Sequence, residues 1–183
     1  MRKILIGQVF LIICCIFYLI WWYRGYRPGV SVSRGSGVNG ILLFLTAGFG
    51  IAGLVLSLMP IPETNELKIR PGVILIVGVA GYALLLLITR FGFQRVVTTE
   101  LFLIVGWTIL EMTVINRLNA AGFLSDKSFF IMCAVMTAAF IVSIVLYVAY
   151  YRMEEMKAFY AAMVPLITEA VSMGVLIGLL TVF

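Results

Sequence analysis

Histidine is missing altogether from the 183 residues, and with it go the usual haem ligand, the commonest transition-metal ligand and the usual catalytic base. Charge is scarce too. Asp, Glu, Lys and Arg make up 11% of the chain, where a soluble domain carries about 25%. The three cysteines, Cys14, Cys15 and Cys133, stand inside apolar segments without the CxxC or Cys/His spacing of a zinc or redox centre. We read them as packing residues and expect neither a metal nor a cofactor. A dense basic block is also lacking. The 13 basic residues exceed the 8 acidic ones for a net charge of +5, but they are scattered over the termini and loops. Lipid headgroup phosphates are the partners this pattern suggests, and nucleic acid is not.

What the chain has in excess is apolar surface: 63% of its residues are hydrophobic, more than a single soluble core of this size can bury. These residues gather in runs of about 18 or more, the length that carries a helix across roughly 30 Å of hydrocarbon. They do not alternate with polar residues as the strands of a membrane barrel would. The sequence therefore predicts an all-α, polytopic integral membrane protein, one transmembrane domain over 1–183 built as a bundle of about six spanning helices.

The helices are expected at 4–23, 41–59, 72–89, 98–121, 129–151 and 158–183. Pro60 and Pro62 stop the second, because proline lacks the N–H that a continuing helix needs. Threonines at 98 and 99 cap the fourth, and Ala120-Ala121-Gly122 ends it. The first helix follows Met1-Arg2-Lys3 but is too long for a signal peptide and lacks a small-residue cleavage site, so it reads as retained. The stretch from Arg24 to Gly40 is polar and glycine-rich and reads as a surface loop, with Arg24, Arg27 and Arg34 placed to meet lipid headgroups.

Trp21, Trp22, Tyr23 and Tyr26 follow the first helix, and Tyr147, Tyr150, Tyr151, Phe159 and Tyr160 surround the turn after the fifth. Both clusters follow odd-numbered helices, so six helices put them on one membrane face as an aromatic belt. Basic residues divide almost evenly between the two faces. Orientation stays open, leaning to an outside N-terminus because Arg24, Arg27 and Arg34 outnumber Arg2 and Lys3 around the first helix.

In lipid, helices meet where small residues let backbones approach. Candidate seams are Gly48 and Ala52 in the second helix, Ala134, Ala138, Ala139 and Ser143 in the fifth, and Ala170, Gly174 and Gly178 in the sixth. They suit packing within one bundle first and an oligomer contact second, so a homo-oligomer or partner membrane subunits remain open.

Two carboxylates fall deep in apolar helices, Glu111 in the fourth and Glu169 in the sixth. A charged side chain at the bilayer centre costs about 2.5–3.5 kcal/mol on insertion scales, so such residues are functional candidates by default. Both helices run in the same direction, which predicts similar depth for the two acids. Thr108 shares a helical face with Glu111, and Ser172 with Glu169. Gln8 and Asn116 could contribute further oxygens. Pro165, one turn before Glu169, removes a helical hydrogen bond and frees a carbonyl.

From this constellation the first expectation is a small transporter or channel component whose carboxylates bind a cation or relay protons. Its setting is expected to be a bacterial cytoplasmic membrane. The alternative is a non-catalytic subunit that captures a substrate for, or scaffolds, a larger complex. A lipid-modifying enzyme ranks last, because no histidine and no recognisable nucleophile accompany the acids, and ester bonds lie at the headgroups rather than at midplane. On balance the sequence favours a protein that is not an enzyme.

Overall fold

A backbone in hydrocarbon has no water to bond, so each apolar run must satisfy its own N–H and C=O groups as a helix. In the computed structural model, described for residues 2–29, 37–58, 67–92, 94, 99–150 and 152–182, this is what the chain does. Helices α1 (Arg2–Tyr26), α2 (Gly37–Leu58), α3 (Pro71–Leu87), α4 (Thr99–Ala120), α5 (Asp126–Tyr150), α6 (Glu155–Ala161) and α7 (Val164–Val182) follow one another. A single π-helical turn, Ile88–Gly92, extends α3. There is no strand among the described residues. Six helical stretches are long and apolar enough to cross a membrane, the last of them Glu155–Thr181. The protein is an all-α multi-pass membrane bundle.

Several boundaries depart from the sequence reading, each for a local reason. Gly37 to Gly40 belong to α2 rather than to the preceding loop, since a helix already propagating from apolar residues adds each further turn at little cost. The fifth span begins at Asp126, whose acid suits a helix N-terminus. The sixth is broken into α6 and α7 just before Pro165, where the missing N–H interrupts the ladder. At the end of α4, Gly122 takes a φ of +75°, and the Phe123 and Leu124 amides bond back to Leu118 O, the glycine stop expected there. Arg34, Met59, Pro60, Pro62, Thr98, Tyr151 and Phe183 lie outside the described residues.

Four helices make the centre. Ile4 of α1, Val114, Ile115 and Leu118 of α4, Phe129, Met132 and Met136 of α5, and Leu176 and Leu180 of α7 form one buried cluster. Around it α2 leans on α1 and α3 on α4. The two aromatic clusters meet, Trp22 and Phe159 stacking with centroids 6.4 Å apart and Tyr23 lying 5.9 Å from Phe159.

Of the expected small-residue seams, Ser143 pairs with Thr168 of α7 and Ala170 packs on the buried cluster of Leu11, Cys15 and Met173, but the closest helix approach is made elsewhere. A Cβ at Gly48, Gly174 or Gly178 would meet nothing within 4 Å, and Ala138 is exposed. The close approach is at Gly7 and Gly53 instead: a Cβ on Gly7 would come within 2.8 Å of Ser57 N and 3.0 Å of Gly53 O. Spacing within one helix shows which small residues share a face, but the fit depends on the partner's surface as well.

Candidate functional site

Glu111 projects from the middle of α4 into the space between α1 and α7 and is 0% exposed. Neither of its carboxyl oxygens has a hydrogen-bond partner. Gln8 of α1 is close enough to act on this carboxyl, although its Nε2 donates to Ser57 Oγ of α2 at 3.4 Å. Glu169 of α7 is 7% exposed and feels the charge of Glu111. The Cys15 thiol of α1 lies within electrostatic reach of both acids. Among the described residues the ion pairs are Lys68–Asp126 and Lys157–Glu154, so neither deep glutamate has a cationic partner.

The two acids are staggered rather than level. At 1.5 Å per residue, Glu111 lies about 13 Å from the Ala120 end of α4 and Glu169 about 20 Å from the Val182 end of α7. Both ends reach the same membrane face. The expectation of equal depth fails because α7 continues past Glu169 further than α4 does past Glu111.

The other residues singled out by sequence divide clearly. Gln8 joins Glu111, as described. Ser172 is fully buried and donates to the Glu169 backbone carbonyl at 2.7 Å, so its hydroxyl is committed to its own helix. Thr108 likewise donates to Ile104 O at 2.9 Å. It lines an apolar cavity of about 400 Å3 between α3, α4 and α5, walled also by Val77, Gly81, Met112 and Phe140. Asn116 is turned away from the acids altogether. Its Nδ2 donates to Ile69 O at 2.6 Å and its Oδ1 accepts from Ile69 N at 3.2 Å, which fastens the segment before α3 to α4. The half-buried backbone N–H and C=O of Ile69 capture the amide more effectively than a distant carboxyl could. Arg24 and Arg27 are exposed beside the aromatic belt. Arg27 donates from Nη1 to Tyr23 Oη at 2.7 Å and lies over that ring, 5.1 Å from its centroid.

Sequence reasoning missed Ser57 and gave Ser143 only a packing role; a third polar group is the Trp107 indole on the Glu111 face. Ser57 is fully buried against Gln8. Ser143, 2% exposed, pairs its hydroxyl with Thr168 Oγ1 at 3.4 Å. The Trp107 indole N–H is buried without a partner, one helical turn from Glu111. A lone serine in an apolar helix is an ordinary residue, and only the facing helix turns it into a neighbour of the acids.

No family model, curated protein or solved structure matches the chain.

Proposed function

We propose that this membrane protein is a small transporter or channel component in which Glu111 and Glu169 take up a cation or a proton. The observation that carries the reading is the state of Glu111: fully buried, without a hydrogen-bond partner for either oxygen, within electrostatic reach of a second carboxylate, and outside the ion pairs found among the described residues. An arrangement kept only for packing would gain from an apolar residue at that position, since buried charged groups seldom stabilise more than a well-packed hydrophobe does. Retaining two acids at a cost to stability supports a site that must accept and release positive charge. A lipid-modifying enzyme fits less well, because both carboxyls sit well inside the span. A bacterial cytoplasmic membrane is the setting we infer for it.

The test is ion flux into liposomes holding the purified chain, with Glu111→Gln and Glu169→Gln compared to the parent. Flux should disappear in both variants while thermal stability holds or rises, because a neutral amide is cheaper to bury than a carboxylate. Unchanged flux in both variants would sink the proposal. Lost flux together with lost stability would mark the acids as structural.

A further inference from the structure

The deep acids belong to a longer row of buried polar side chains. Measured from the face that holds Arg2, and at 1.5 Å per residue, Gln8 lies about 9 Å in along α1, Glu111 about 13 Å along α4, Glu169 about 20 Å along α7 and Ser143 about 26 Å along α5. Ser57 meets Gln8 at 3.4 Å, and the buried cluster of Leu11, Cys15 and Met173 gathers Leu110 of α4 and Ala170 of α7, the residues beside Glu111 and Glu169, which leaves Gln8 within reach of Glu111 and Glu111 within electrostatic reach of Glu169. Thr168, the residue before Glu169, donates to Pro165 O at 2.8 Å and meets the Ser143 hydroxyl at 3.4 Å. We propose that the ion handled by this protein is a proton, and that it crosses the bundle along the row from Ser57 and Gln8 through Glu111 and Glu169 to Thr168 and Ser143. This rests on the transport reading above and narrows it.

Two observations separate a proton from a divalent metal ion. Calcium takes about six to eight oxygen ligands and magnesium about six in strict octahedral geometry, whereas Glu111, Glu169 and the Gln8 amide together offer at most about five side-chain oxygens, strung over staggered depths. Among the described residues no three Cys, Asp or Glu side chains are grouped to hold a metal. A proton needs only hydrogen-bonding groups within reach and single waters between them.

The groups facing the pair are Gln8 and the Cys15 thiol from α1, and each acid from the other's helix, with no lysine or arginine among them. With one proton on the pair the site carries a single negative charge. In the central step the O–H bond of protonated Glu169 breaks, its electron pair stays on the Glu169 carboxylate, and a new O–H bond forms on Glu111. Charge on the pair is conserved, and the proton has moved toward the Arg2 face. Gln8 and Ser57 on that side, and Thr168 and Ser143 on the other, hold no charge. They orient the waters that deliver and remove the proton.

The experiment uses the purified full-length chain in liposomes with an internal pH dye and an imposed potassium–valinomycin potential, alongside sodium and potassium flux assays. The parent should conduct protons and neither metal ion. Glu111→Gln and Glu169→Gln should abolish the proton flux, and Glu111→Asp, which keeps the acid if the Gln variant misfolds, should retain part of it. Thr168→Val and Ser143→Ala should each slow it about tenfold, the rate equivalent of roughly 1.4 kcal/mol. Thr137→Val, altering an exposed hydroxyl outside the row, should leave it unchanged. Sodium or potassium flux that depends on the glutamates would overturn this inference and leave the transport reading standing. Glutamate-dependent proton flux that ignores Thr168 and Ser143 would overturn the route. Absence of any ion flux would remove both.

Discussion

The two outer helices make an instructive pair. Both α2 and α3 are apolar enough to span a bilayer, yet they are held in opposite ways. Along α2, Gly53 lets Leu11 of α1 in so closely that an added Cβ would lie 2.7 Å from its Cγ, Ser57 covers Gln8, and Phe49 packs edge-on against Phe10, 5.3 Å between centroids. No residue of α3 is buried, and beside it the cavity of about 400 Å3 stays open. α3 meets α4 through Tyr82 and Leu85, which pack beside Leu101 and Ile104, and its start is tied by polar contacts: the Asn116 clamp on Ile69 and the Lys68–Asp126 bridge. Hydrophobicity sends a helix into the bilayer, but fit between surfaces decides what it packs against there.

Substitutions can break that contrast in order of severity. Gly7→Ala should cost the most, near the upper end of the about 1–3 kcal/mol typical of overpacking, because the new Cβ meets backbone atoms of Ser57 and Gly53 that cannot rotate away. Denaturant titration in detergent would measure it, and a loss within error of zero would mean that the α1–α2 contact is looser than described. Asn116→Ala comes next. It strands the Ile69 amide and carbonyl and should cost about 1–2 kcal/mol, the range for net hydrogen-bond loss with some access to water. Its signature is regional: faster hydrogen exchange over 69–75 with α2 unaffected, whereas uniform exchange along the chain would refute the clamp. Gly78→Ala should cost less. The added Cβ would come within 2.4 Å of Ile109 Cδ1 and 2.5 Å of its Cγ1, so that one side chain must turn, and the gain of up to about 1 kcal/mol in helix propensity offsets part of the adjustment. A loss as large as that of Gly7→Ala would show α3 to be fitted as tightly as α2.

How far the sequence could be read follows from the same physics. Apolar run length fixes spanning helices almost by itself, and Gly122 and Pro165 mark a helix end and a helix break through backbone rules that need no partner. Glu111 and Glu169 announced themselves because ionisable groups in such runs are costly. The contacts among helices were a different matter. Gly174 and Gly178 carry the right spacing and lie on an open face, while Gly7, with no small partner four residues along its own helix, makes the closest approach. Asn116 and Gln8 are both amides near a glutamate in sequence or depth, and only the position of Ile69 decides that one of them is occupied elsewhere.

The Gln8–Ser57 contact has a consequence for the order in which the chain is made. Synthesis delivers α2 directly after α1, so the Gln8 amide meets its Ser57 partner as soon as one more helix has entered the bilayer. Glu111 and Glu169 follow two and four spans later. Each arrives at a surface that already presents an amide or a carboxyl, and the chain is spared the longest wait for its most polar side chains in bare lipid.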